Sequence, residues 1–128
     1  MTAARCFLAA AGIAGAISVA ADAAARHLLA GDAARLELAT IAARYGLIHA
    51  AALLGVAILA GRGGFWPRAA GWLFIAGLIL FCLSLDLVAL GASSRLTALT
   101  PWGGSAFILG WLALLIAALR PRRVDGSG

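Results

Sequence analysis

The chain alternates four long apolar runs with short polar ones. The runs cover residues 6–25, 41–60, 69–90 and 103–119. A helix needs ~20 largely apolar residues to cross a bilayer, within a range of ~17–25, and all four runs qualify. Backbone groups in hydrocarbon must be paired within their own segment, so runs of this length predict helices. Alternating strand patterns are absent, which argues against a barrel. The expected fold class is all-α: an integral membrane four-helix bundle, forming a single domain over residues 1–128.

Composition supports the same picture. Of 128 residues, 64% are hydrophobic and 12% charged, and mean hydropathy is +1.03. A soluble domain is about half apolar and about a quarter charged. So short a chain has too much surface for its volume to hide the excess in one core. Net charge is +5 and every basic residue is Arg. The arginines sit between or beside the apolar runs, as membrane flanks do, and the four Trp are not interleaved with them as stacking platforms for nucleic acid would be. The bilayer is therefore the expected partner, and nucleic acid is not. Cys6 and Cys82 lie in apolar surroundings without paired spacing, so both read as small hydrophobes.

The first run has two readings. Arg5, the apolar stretch and "SVAADAAA" resemble a secretory signal with a small-residue cleavage site. Gly12, Gly15 and Ser18 line one helical face, as packing surfaces do. The second reading is preferred, giving a retained helix. Arg5, Arg62, Arg68, Arg120, Arg122 and Arg123 then lie on one side of the membrane; Arg26, Arg35, Arg44 and Arg95 lie on the other. Short Arg-rich loops stay cytoplasmic, so both termini are expected to be cytoplasmic, in a bacterial inner (plasma) membrane.

The connections carry their own signals. In "GRGGFWPR", Gly63 and Gly64 supply backbone freedom and Pro67 stops backward helix propagation. Trp66 and Trp72 suit the interfacial aromatic belt. Asp32 is a good N-cap, so the second helix should begin outside the membrane, running along the surface first. "GASSRLTALTPW" reads as a loop, with Pro101 in the first turn of the fourth helix.

In this topology Asp22, His27, Tyr45, His49, Asp86 and Thr100 fall in the outer leaflet. Asp86 stands ~6 Å along its helix from Leu90. Tyr45 and His49 are i,i+4 neighbours, as are Ser18 and Asp22. Intramembrane ionisable groups usually face the bundle and pair. A structural polar network is the preferred reading, with Asp86 facing His49 and the first helix. Proton or ligand handling and a metal site through Asp22, His27, His49 and Asp86 are the alternatives. Against metal, no HxxxH, HxxE or ExxH spacing is present.

"TPWGG" could present free amides to an anion, but it lacks the Lys of a phosphate-binding loop. Close packing explains Gly103, Gly104 and Gly110 better, alongside Gly12, Gly15 and Gly77 on the other helices. Ser18, Ser84 and Ser105 read as groups that hydrogen-bond between helices.

"RYGLIHAAALL", "AGWLFIAGLILFCLSLDLVALG" and "LTPWGGSAFILGW" together resemble the YgdD-type small inner-membrane proteins, a domain-of-unknown-function group. The resemblance spans about residues 6 to 119. It rests on Tyr45, His49, Gly71, Phe74, Gly77 and Phe81, then on Thr100, Pro101, Gly103, Gly104, Gly110 and Trp111. It implies four membrane helices with the first retained, and it brings no enzymatic activity with it. There are departures. Asp22, Ala25 and Arg26 stand where the family has small residues and glycine, and Asp86 stands where it has tyrosine. The two aspartates are expected to accommodate each other, through a shared proton or Arg26.

The functional expectation is a small non-enzymatic membrane protein that acts through helix contacts, as a homo-oligomer or as an accessory subunit of a larger membrane complex, without a bound cofactor or metal. A small-solute or proton pathway through an oligomer is the alternative. A membrane enzyme or metal protein using His27, His49 and the two aspartates is a third.

Overall fold

In the computed structural model, which describes residues 1–120, the four runs become four helices. They are α1 (Ala3–Leu28), α2 (Ala33–Gly61), α3 (Phe65–Ala89) and α4 (Thr100–Leu119). All four are long and apolar enough to cross a membrane. Arg122 and Arg123 lie outside the described residues.

Each helix starts and stops for a local reason. The Thr2 hydroxyl accepts the Arg5 N–H at the start of α1. The Asp32 carboxylate accepts the Arg35 N–H at 3.1 Å and caps α2. From that cap, α2 runs uninterrupted for 29 residues. That is about 43 Å, well beyond the ~30 Å of hydrocarbon. The separate surface segment expected before the second span is therefore absent. Good helix formers from Ala33 to Leu38 carry the helix straight into the apolar run.

Gly63 and Gly64, at φ +91° and +108°, turn the chain into α3. α3 ends in a glycine-terminated motif: Gly91, at φ +102°, donates to Val88 O, and Ala92 donates to Leu87 O. The Arg35 guanidinium donates to Ala89 O at 2.6 Å and satisfies another carbonyl of that end. The stretch after it is not the expected open loop. Ser94–Leu99 forms a 3-10 helix that leads directly into α4. Ser93 caps it by accepting the Arg95 N–H, and Pro101 sits in the first turn of α4.

α3 contains a feature that the apolar pattern does not announce. Leu78–Leu83 is π-helical, between α-helical segments Phe65–Gly77 and Ser84–Ala89. At this wide turn α3 lies against Gly103 of α4, where an added Cβ would stand 2.5 Å from the Phe81 backbone nitrogen. The Ser84 hydroxyl closes the turn by donating to Leu80 O at 2.7 Å.

α1 packs along α2, α3 packs along α4, and α2 also contacts α3. Lipid is as apolar as the side chains, so these helices associate by close packing rather than by escape from water. Aromatic rings seated in glycine notches supply that packing. Phe7 of α1 fills the notch at Gly71, Phe107 of α4 the notch at Gly77, and Phe74 of α3 the notch at Gly110. Ser18 of α1 sits over Gly46 of α2. Gly61 lies against Ala4, and the Arg120 guanidinium stacks 5.0 Å from the Trp66 ring centre. The start of α1 and the end of α4 thus share one end of the bundle.

Candidate functional site

The polar residues singled out from the sequence separate into distinct local arrangements. Asp22 forms a two-point ion pair with Arg26 one turn on, at 3.1 and 3.2 Å. Both belong to α1, so this carboxylate is neutralised by its own helix. His27 is exposed in the last turn of α1.

His49 sits near the middle of α2 rather than at its outer start, because α2 begins as early as Ala33. It is only 3% exposed. Its Nδ1 lies 2.8 Å from Tyr45 O, a carbonyl that can only accept, so Nδ1 carries the proton. Nε2 is then free to accept, and the Trp111 indole N–H donates to it at 3.2 Å. The two bonds define a neutral imidazole with one tautomer. Phe107 stacks on the ring, with centroids 3.6 Å apart and planes 12° off parallel, and Phe74 meets it edge-on at 5.2 Å. Tyr45 extends the aromatic group, tilted on Phe81 at 4.9 Å. His49 could ligate a metal through Nε2 only by displacing Trp111.

Thr100 pairs with Ser84, hydroxyl to hydroxyl at 3.2 Å. Ser84 already spends its proton on the backbone of α3, so Thr100 is the donor. This bond ties the start of α4 to the end of the π-helical turn. Ser105 turns back on its own helix, donating to Pro101 O.

Asp86 faces α1 and not His49, whose two nitrogens are engaged elsewhere. It is half-buried at the head of a groove of about 260 Å³ between α1 and α3. The groove wall includes Ile13, Ile17, Ile75, Leu78 and Ile79, with Ser18 and Cys82 on it as well. A smaller groove of about 120 Å³, lined by Ala21, Ala24, Ala25 and Leu28, also ends on Asp86. Among the described residues, no hydrogen-bond donor or cation lies within bonding distance of its carboxylate. Arg26, the expected mediator between the two aspartates, is bound to Asp22 alone.

The glycines divide too. Gly77, Gly103 and Gly110 are filled notches, whereas Gly104 and Gly15 make ordinary contacts, with Phe81 and Ala50. Gly12 faces open space. Sequence reading gave no packing role to Gly46 and no partner to Trp111. The signal for Trp111 was its spacing from Phe107, i,i+4 on one helix face. Nothing local marks Gly46.

The family profile described as "Protein of unknown function (DUF423)" matches residues 21–104. The UPF0382 membrane protein SERP0230 of Staphylococcus epidermidis is 41% identical over 68 residues, covering 53% of this chain and 56% of that protein. The UPF0382 membrane protein YwdK of Bacillus subtilis is 41% identical over 73 residues, covering 56% and 59%. A third, SAB0533 of Staphylococcus aureus, is 39% identical over 69 residues, covering 54% and 57%. The chain spans about half the length of the curated relatives it matches. No solved structure matches. The relatives are named as membrane proteins, and their names carry no reaction. Matched over most of its length and built of four apolar helices, the chain belongs to the DUF423 family, as a small multi-pass bacterial membrane protein.

Proposed function

We propose that this protein works by helix contact and not by catalysis, as a homo-oligomer or as an accessory part of a larger membrane complex. One observation carries the reading. Ala9, Gly12, Ala16, Val19 and Ala23 of α1 are all exposed and follow a 3-4-3-4 spacing. That spacing makes a continuous seam along one side of a helix, as in coiled-coil packing. Small residues along such a seam let a second helix approach closely. The glycine notches of α3 and α4 are filled by this chain's own rings, but the α1 seam has no partner among the described residues. α1 is also the least buried of the four helices.

The test is native mass spectrometry from mild detergent, which reports copies and foreign subunits together. Wild type is expected as a defined assembly, and Gly12→Leu with Ala16→Leu is expected to release the monomer. A wild-type monomer at every concentration, without a companion, would refute the reading. The alternative, a small-solute or proton pathway, draws on Asp86. Proton flux into vesicles that Asp86→Asn abolishes would favour it.

A further inference from the structure

We infer that the groove between α1 and α3 is a binding site for a small lipophilic cation, an organic ammonium on an apolar body, with Asp86 as its counter-charge. The inference goes beyond the contact reading and stands apart from it. The groove opens beside Ala10, Ile13, Ala14 and Ile17, a different side of α1 from the seam at Gly12 and Ala16.

Three features converge on this ligand class. The first is shape. About 260 Å³ accommodates a fused ring or a short branched chain, and the wall is almost wholly aliphatic. The second is charge. Asp86 is half-buried at the head of the groove, and none of the arginines at this end of the bundle pairs with it among the described residues. Arg26 is held by Asp22, and Arg35 by the carbonyl of Ala89. A carboxylate at membrane depth normally has a protein partner; this one faces the groove instead. The third is access. The smaller groove meets Asp86 from the other side, beside Leu28, Leu29 and Leu90. These residues lie at the ends of α1 and α3, so a charged group can reach the carboxylate from the membrane surface. Its apolar body then settles among Ile17, Ile75 and Ile79.

Other occupants satisfy fewer of these features. An acyl chain fits the wall and leaves the carboxylate unpaired. An anion is repelled. A second copy would have to bring a cation to this depth, and Arg26 of α1 is already held.

The experiment uses the full chain in neutral detergent, with empty micelles as the blank. Calorimetry compares naphthylmethylammonium, naphthylmethanol and naphthoate, which share one ring and differ in charge. The cation is expected to bind at least about ten-fold more tightly than the alcohol, which is the scale of one well-placed charge contact. Asp86→Asn should erase that preference and leave the alcohol unchanged. Ile17→Trp, which fills the groove and keeps the carboxylate, should abolish binding of both. Equal partition of cation and alcohol would overturn the proposal, as would cation binding that survives Ile17→Trp. A tightly held phospholipid or second copy, displaced by Ile17→Trp with no preference for the cation, would overturn it too. Should Asp86→Asn fail to fold, the cation-to-alcohol ratio on wild type and the Ile17→Trp result still decide it.

Discussion

Trp111 donates its indole N–H to Nε2 of His49 across 3.2 Å, joining α4 to α2 at mid-bundle. These two helices are not sequence neighbours, and α3 stands between them in the chain. The bond also sets the imidazole tautomer, since the other nitrogen is committed to the Tyr45 carbonyl. His49 is thereby a keystone of an aromatic core.

A double-mutant cycle measures that role. Hydrogen bonds between membrane helices average about 0.6 kcal/mol and reach about 1.7 kcal/mol. His49→Leu and Trp111→Phe are each expected to destabilise the protein in detergent. Their combination should cost less than the sum, by an amount in that range. Strict additivity would mean that the bond contributes nothing.

His49 and Asp86 should behave in the opposite way. They face different surroundings, so His49→Leu and Asp86→Tyr are expected to add. Asp86→Tyr introduces the residue that the family resemblance suggests, and its phenol fits an interfacial position. A coupling above about 0.5 kcal/mol, the usual limit for independent sites, would put the two in one network.

The glycines give a graded series. An added Cβ at Gly71 would stand 2.5 Å from the Phe7 ring, and at Gly110 2.5 Å from the Phe74 ring. Overpacking of that kind costs about 1–3 kcal/mol. Gly71→Ala and Gly110→Ala should therefore lower the melting temperature clearly. Gly12→Ala meets nothing within 4 Å and should leave it unchanged or raise it slightly. A melting temperature insensitive to Gly110→Ala would show that the notch is not filled.

These contrasts show what the sequence could and could not disclose. Four spans were legible because length and hydropathy dictate them. The Asp32 cap and the Gly63–Gly64 turn were legible because only local chemistry is involved. Gly77, Gly103 and Gly110 were legible as small residues on apolar helices, but Phe107, Phe81 and Phe74 as their respective partners were not. Such pairings depend on helix rotation, and an apolar run without a polar face leaves rotation undefined. The same gap hides the Trp111–His49 bond and the placing of Asp86 toward α1 rather than toward His49. The π-helical turn in α3 was invisible because nothing local in the apolar run marks it, and its contact with Gly103 is tertiary.

Orientation is checked by labelling. Arg5, Arg62, Arg68 and Arg120 gather at one end of the bundle, and Arg26, Arg35, Arg44 and Arg95 at the other. Among the described residues the count is even. The proposed cytoplasmic termini thus rest on the sequence, in which Arg122 and Arg123 closely follow Arg120. A cysteine at Ser94 should react with an impermeant maleimide applied outside cells, and one at Arg62 only after permeabilisation. The reverse pattern would invert the topology.

The contact reading is tested most directly by cross-linking in native membranes. Single cysteines would be placed along α1 after Cys6 and Cys82 are replaced by alanine. The account predicts that a short bismaleimide gives a larger adduct, to a second copy or to another subunit, from Gly12→Cys and Ala16→Cys on the seam. It predicts no adduct from Gly15→Cys, which faces Ala50 inside the chain. No adduct from either seam position, or an equal yield from Gly15→Cys, would contradict it.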